Sequence, residues 1–200
     1  MKLYYAPAAC SLAPHIAARE AGLDLALEKV DLRNKKTESG RDYLSINPKG
    51  AVPALEIDGG EVLTENAVIL QYLTEKAPQS QLMPSNGMGR WHFLELVNFI
   101  ATELHKGFAP LWDARTSAAG REIAVENLSK RFAILDRQLG NQIYLTGDSF
   151  TVADAYAYAV LNWTKIHNVD ISRWPRLMVF LDRVAVRPAV RQARAEEGLE

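Results

Sequence analysis

Residues 1–22, MKLYYAPAACSLAPHIAAREAG, decide the fold. KLYY (2–5) is a short apolar run of the kind a strand presents. SLAPHIAAREAG (11–22) reads as a helix closing on Gly22, a good residue just past a helix end because it accepts a left-handed backbone. Cys10, the one cysteine of the 200-residue chain, falls where strand hands over to helix.

Working outward, LALEKVDL (25–32) alternates as a second strand. DYLSINPKGAVPALEIDGGEVLT (42–64) supplies two more, joined at DGG, a hairpin signal. ENAVILQYLTEKAP (65–78) is then a helix stopped by Pro78. The order β-α-β, connector, β-β-α defines a small α/β domain covered by helices. From about residue 87 helical periodicity takes over. MGRWHFLELVNFIATELHKGF (88–108) sets Phe93, Leu96, Val97, Ile100 and Leu104 at helical spacings, and REIAVENLSKRFAILDRQLG (121–140) sets Ile123, Leu128, Phe132 and Leu135 on one side before Gly140. TVADAYAYAVLNWTKI (151–166) is apolar nearly all round, as a central buried helix is. Thr151 and Asp154 form a capping box at its start, whose loss is expected to cost on the order of 1 kcal/mol. WPRLMVFLDRVAVRP and AVRQARAEEG close the chain as two shorter helices. KAPQSQLMPSNGMG (76–89) is the natural linker.

Composition narrows the function. The apolar share of 48% and charged share of 24% suit a globular core, and the net charge of −1 gives no bias towards nucleic acid or an anionic membrane. No apolar run approaches the roughly 20 residues of a membrane span. Lys2 precedes a strand-like triplet rather than a long apolar stretch, so no secretory leader is expected. One cysteine makes no internal disulfide and no dithiol redox pair, which fits a reducing cytoplasm. His15, His92, His105 and His167 show no metal-ligand spacing, so no metal is expected, and His15, His92 and His167 read as surface residues.

The βαββα order, AVP before a strand, TE before the next helix, CSLAPH, ELHKGF and an all-helical remainder together resemble the glutathione transferases, specifically the bacterial beta class, from MKLYY to AEEGL. The resemblance implies a thioredoxin-like domain over residues 1–80 that binds glutathione. It also implies a helical-bundle domain over 87–200 that forms much of the electrophile site, and a homodimer. Glutathione is then a co-substrate rather than a resident cofactor, and the activity is its transfer to hydrophobic electrophiles. A thiol-disulfide or peroxidase side activity would run through a Cys10–glutathione mixed disulfide. A ligand-carrying stress protein of the same fold and a monothiol glutaredoxin-like oxidoreductase are the alternatives.

Cys10 beside a helix start meets unpaired backbone N–H groups and the positive end of the helix dipole, which favours thiolate and lowers the pKa from about 8.5. The plainer alternative is an apolar filler. By resemblance this sulfur faces that of glutathione. Ser11 is a helix cap or supporting donor, and Tyr4 and Tyr5 belong to the strand. The chain reads PAAC (7–10) where relatives often read PGAC. In GAVPAL (50–55), the resemblance implies that Pro53 is cis, exposing the backbone of Val52 to pair with the cysteinyl unit of glutathione like an added strand. Glu65 suits the γ-glutamyl amino group. Asn66, opening a helix, suits the carboxylate or serves as a cap, and it replaces the small residue usual in the family. Either Lys35 or Lys36 suits the glycyl carboxylate, and the resemblance implies Lys35. Asn98, Thr102 and His105 recur at spacings of four and three and so share a helix face. The resemblance puts His105 near the thiol as hydrogen-bond partner or proton acceptor, and Asn98, Thr102, Glu103 and Lys106 around the tripeptide or its dimer-related copy. Phe108, Leu111, Trp112 and Trp163 are expected to wall the second-substrate pocket.

Overall fold

A computed structural model describes residues 1–199. The chain divides into two units, Met1–Met83 together with the closing segment from Val186, and Pro84–Ala185. The break at Pro84 falls inside the turn-rich linker.

The first unit is built on a five-stranded sheet of order β3-β2-β1-β4-β5. Its strands are β1 (Lys2–Tyr5), β2 (Ala26–Asp31), β3 (Lys36–Thr37), β4 (Ala54–Glu56) and β5 (Val62–Thr64). Strand β1 is central, pairing parallel to β2 with Leu3 opposite Leu27, and antiparallel to β4 with Leu3 opposite Leu55. A strand flanked on both edges and covered on both faces reads as an unbroken apolar run, which is why KLYY does not alternate. Leu3 and Tyr4 are fully buried. The parallel pair needs a crossover, supplied by α1 (Leu12–Glu20). That helix ends as expected: Gly22 has φ +66°, its N–H meets the Arg19 carbonyl and the Leu23 N–H meets that of Ala18, a Schellman closure. The hairpin β4–β5 turns at Asp58–Gly60, and α2 (Asn66–Lys76) follows. The two-residue β3, paired antiparallel to β2, lies in the polar stretch where no alternation marks a strand. This is the thioredoxin-like arrangement.

Two expectations need correction here. The helix α9 (Pro188–Glu196) belongs to the first unit rather than to a helical domain running to residue 200. It packs on α1, where the Arg187 guanidinium grips Glu20 at 2.6 and 2.8 Å and Arg19 meets Glu196 at 2.8 Å. His15 is not a surface residue. It is fully buried between Glu197 (3.0 Å) and Glu196 (2.6 Å). Helical periodicity announces such a segment but carries no information on which partner it meets.

The second unit is helical: α3 (Gly87–Phe99), α4 (Ala109–Trp112), α5 (Ala118–Leu139), α6 (Val152–Leu161), α7 (Trp163–His167) and α8 (Pro175–Ala185). Between α3 and α4 run a π-helical turn, Ile100–His105, and a 3₁₀ turn, Lys106–Phe108. Helix α6 is buried along its whole length, as its composition requires. Its capping box is formed: the Asp154 carboxylate takes the Thr151 N–H at 2.8 Å, the Thr151 hydroxyl at 2.9 Å and the Leu145 N–H at 2.8 Å. Leu128, Phe132 and Leu135 of α5 are fully buried, but Ile123 is exposed. Five residues separate Ile123 from Leu128, about 140° around a helix, so Ile123 falls off the stripe. Gly107 lets α5 come close, since a Cβ there would lie 2.8 Å from the Leu128 side chain. No helix among the described residues is long and apolar enough to cross a membrane.

Candidate active site

Cys10 lies in the turn that joins β1 to α1. Ala8 takes φ +60° there, a left-handed conformation unusual for alanine, and its N–H is held by the Glu197 carboxylate at 3.2 Å. Ser11 fixes the same turn from below, its hydroxyl bonding both the N–H and the carbonyl of Ala6 at 3.2 Å. It acts as a supporting donor and makes no side-chain cap for α1. Ala9 packs against the cluster of Tyr4, Ala6, Val30, Tyr43, Val52 and Ala54.

The thiol itself is only 7% exposed and donates to the Val52 carbonyl at 3.2 Å. Burial pushes it up to about 12. The helix start works in the expected sense, because the backbone N–H groups of Cys10 and Ser11 and the Asn66 amide pull the other way, but desolvation outweighs them. The expectation of a lowered pKa is therefore overturned. The free protein holds Cys10 as a thiol with a proton to give.

Val52 precedes a cis peptide bond to Pro53, as expected. The loop before it is anchored through the Ala51 carbonyl, which accepts from the Tyr43 hydroxyl at 2.8 Å and the Asn47 amide at 2.7 Å. Lys35 reaches the same loop, its ammonium on the Gly50 carbonyl at 2.7 Å, whereas Lys36 is exposed in β3. Glu65 takes φ +72°, a strained backbone for a glutamate of the kind found where a side chain must be aimed. Its carboxylate is exposed and pairs with Lys49 at 2.6 Å. Asn66 is buried, and its amide N–H donates to the Cys10 carbonyl at 3.1 Å rather than capping α2. Tyr4 and Tyr5 are buried strand residues. The Tyr4 hydroxyl donates to Glu56 at 2.6 Å and is pushed up to about 12, mainly by burial.

The second unit carries the remaining candidates. Asn98, Thr102 and Lys106 are exposed, and the Thr102 hydroxyl donates to the Asn98 carbonyl at 3.0 Å. Glu103 is bound by the Arg131 guanidinium at 3.1 and 2.7 Å. His105 bonds the Tyr156 hydroxyl through Nδ1 at 2.7 Å, and its ring meets that of Trp163 edge-on at 5.0 Å. The π turn has more residues per turn than an α-helix, so His105 is not aligned with Asn98 and Thr102 as α-helical spacing would have it. Phe108, Leu111 and Trp163 are interior packing residues, at 0%, 5% and 4% exposure, and are not walls of an open pocket. Trp112, about half exposed, is the member of that group with open apolar surface. It stacks edge-on against Trp163 and His167. His167 is half-buried in this aromatic cluster, not on the surface, and burial lowers its pKa. His92 is exposed beside Glu95.

Sequence reasoning missed Glu197, which steadies the thiol turn, and Tyr156, which holds His105. A phenol in a helix that is apolar all round is a signal, since a buried Tyr hydroxyl seeks a partner. Nothing in the sequence marks Glu197.

A thioredoxin-like unit with a thiol at its strand-to-helix turn, a cis-proline loop under that thiol and an all-helical second unit define a class of thiol-handling enzymes. The comparisons agree. Residues 9–76 match the glutathione S-transferase N-terminal domain, and residues 99–188 match the C-terminal domain. The chain is 42% identical to glutathione S-transferase GstA of Escherichia coli O157:H7 over 201 residues, covering all of both chains. A sphingomonad glutathione S-transferase complexed with glutathione superposes with a TM-score of 0.96 at 43% identity, with all of both chains covered. The bacterial beta-class glutathione S-transferase of Sphingomonas chungbukensis does so at 0.96 and 39%, again over all of both chains. The chain belongs to the glutathione S-transferases, in the bacterial beta class, and is an enzyme of that family.

Proposed function

We propose that this enzyme binds glutathione on its first unit and transfers it to hydrophobic electrophiles, with Cys10 serving the resting site as a hydrogen-bond donor. The observation that carries the reading is the state of the thiol, buried, protonated and bonded to the Val52 carbonyl beside the cis peptide. The cysteinyl backbone of glutathione pairs with Val52 as an added strand. Its N–H takes over the Val52 carbonyl, and the freed Cys10 S–H turns to the glutathione sulfur. A donor at that sulfur favours the thiolate. The thiolate attacks the electrophilic carbon, the C–S bond forms, the leaving group departs with its electron pair and the thiol proton goes to solvent. Glu65 takes the γ-glutamyl amino group, the Asn66 backbone N–H its carboxylate, and Lys35 the glycyl carboxylate. Trp112 offers apolar surface of the kind a hydrophobic electrophile needs.

A slower thiol-disulfide activity uses the same sulfur. Deprotonated Cys10 attacks the glutathionyl sulfur of a mixed disulfide; the other thiolate leaves and takes a proton. A second glutathione thiolate then resolves the Cys10–glutathione disulfide, releasing oxidised glutathione and restoring Cys10. The high pKa makes this the minor route. Exposed Met88 and Trp91, one turn apart on α3, support a homodimer. The lone thiol suits the reducing cytoplasm.

The test is Cys10→Ala. Conjugation of an aryl halide is expected to fall no more than about tenfold, the scale of one lost hydrogen bond, while reduction of a glutathione mixed disulfide drops to background. Disulfide reduction at the wild-type rate removes the redox role. Wild-type protein that binds glutathione yet conjugates no aryl halide overturns the transfer reading.

A further inference from the structure

Asn66 is the first residue of α2 and is only 5% exposed. Its two polar ends have unequal fates. Nδ2 donates to the Cys10 carbonyl at 3.1 Å, while Oδ1 is buried with no partner among the described residues. The Cys10 carbonyl does not need that donor, because the Ala13 N–H of α1 already meets it at 3.1 Å. The side chain does not cap α2 either. A stability role therefore fails on magnitude: a second bond to a satisfied carbonyl gains less than an orphaned buried amide oxygen costs. What remains is the neighbour the amide faces.

We propose that Asn66 is a positioning residue for Cys10: its amide ties the thiol-bearing turn to the start of α2 and sets how readily that sulfur gives up its proton. The geometry ties Cys10 to two elements at once, its thiol to the Val52 carbonyl and its own carbonyl to the Asn66 amide. The direction of the effect follows from the donor. An N–H near a developing thiolate favours it, and the Asn66 amide is among the groups that pull the thiol down against burial. Within the first unit, the other groups facing the sulfur are the Glu65 carboxylate, whose charge opposes ionisation, the neutral Tyr43 phenol, and the backbone N–H groups of Cys10 and Ser11.

The substitution that isolates the role is Asn66→Leu in the full chain. Leucine keeps the branched shape and removes the donor together with the orphaned acceptor. The variant is expected to melt at or above the wild-type temperature. Its Cys10 is expected to react with iodoacetamide about tenfold more slowly at pH 9, the drop in thiolate that one pKa unit produces. Methyl methanethiosulfonate should slow by the same factor, which separates ionisation from access. Because the chain has one cysteine, ¹³Cβ-cysteine labelling gives a single resonance that reports the same titration. A folded Asn66→Leu protein with wild-type rates towards both reagents overturns the proposal. Should leucine prevent folding, Asn66→Ser and Asn66→Ala, which differ by one donor, decide the matter. The serine protein reacts faster if the donor matters, and equal rates overturn it. The inference does not depend on the proposed function, since failed conjugation leaves these rates untouched.

Discussion

The state of Cys10 is the most consequential quantity in the molecule, and two measurements with opposite sensitivities reach it. Its thiol stands near 12 in the fold against an ordinary value of 9.0. At pH 8 about one molecule in ten thousand then carries the thiolate, against roughly one in ten for the unfolded chain, so alkylation of the native protein should be about a thousandfold slower than in urea. The same difference acts on stability. Below pH 9 the thiol is protonated in both states, and the full stability is present. Between pH 9 and 12 only the unfolded chain ionises, so stability is lost as pH rises. The loss is about 1 kcal/mol by pH 10 and about 4 kcal/mol across the window. Tyr4, also pushed up to about 12, adds to the decline above pH 10. Cys10→Ala retains Tyr4 and so cancels that part. Urea unfolding of wild type and Cys10→Ala at pH 7.5 and pH 10 should show wild type losing about 1 kcal/mol more. Native alkylation within tenfold of the rate in urea, or equal losses in the two proteins, would refute the reasoning.

Two further outcomes follow from the geometry. Asp154→Ala leaves the buried N–H groups of Leu145 and Thr151 without their acceptor, which should cost about 3 kcal/mol in urea unfolding, beyond the cost of a helix cap alone; a loss under about 1 kcal/mol would mean that the box is dispensable. Glu65→Ala should raise KM for glutathione about tenfold or more, as loss of a charged hydrogen bond does. Its melting temperature should barely move, because the pair with Lys49 is largely exposed and worth at most about 1 kcal/mol. An unchanged KM, measured in steady-state conjugation assays, would remove Glu65 from glutathione recognition.

Local chemistry was legible in the sequence and long-range company was not. KLYY, Gly22, the hairpin at DGG, the buried α6 and its capping box each follow from a handful of neighbouring residues, and each is present. Pro53 could be read as cis only through the resemblance of the surrounding pattern to thioredoxin-like folds, since a valine before a proline says little alone. His15 could not be read as buried, because what buries it lies 182 residues away at Glu197. Cys10 was misjudged for a related reason. The dipole of α1 is local and visible, but the burial that outweighs it arises only once the unit has folded around the sulfur. The π turn at Ile100–His105 breaks a pattern that counts residues in steps of three and four, so His105 was placed on a face it does not share. Phe108 and Trp163 show the remaining ambiguity, since an apolar ring suits a pocket wall and a packed interior equally until its surroundings are known.

The Ala8–Glu197 bond spans 189 positions of chain. The turn that carries the sulfur leaves a ribosome well before the carboxylate that steadies it. During synthesis the emerging sheet therefore waits with its reactive corner unfinished until Glu197 has been made.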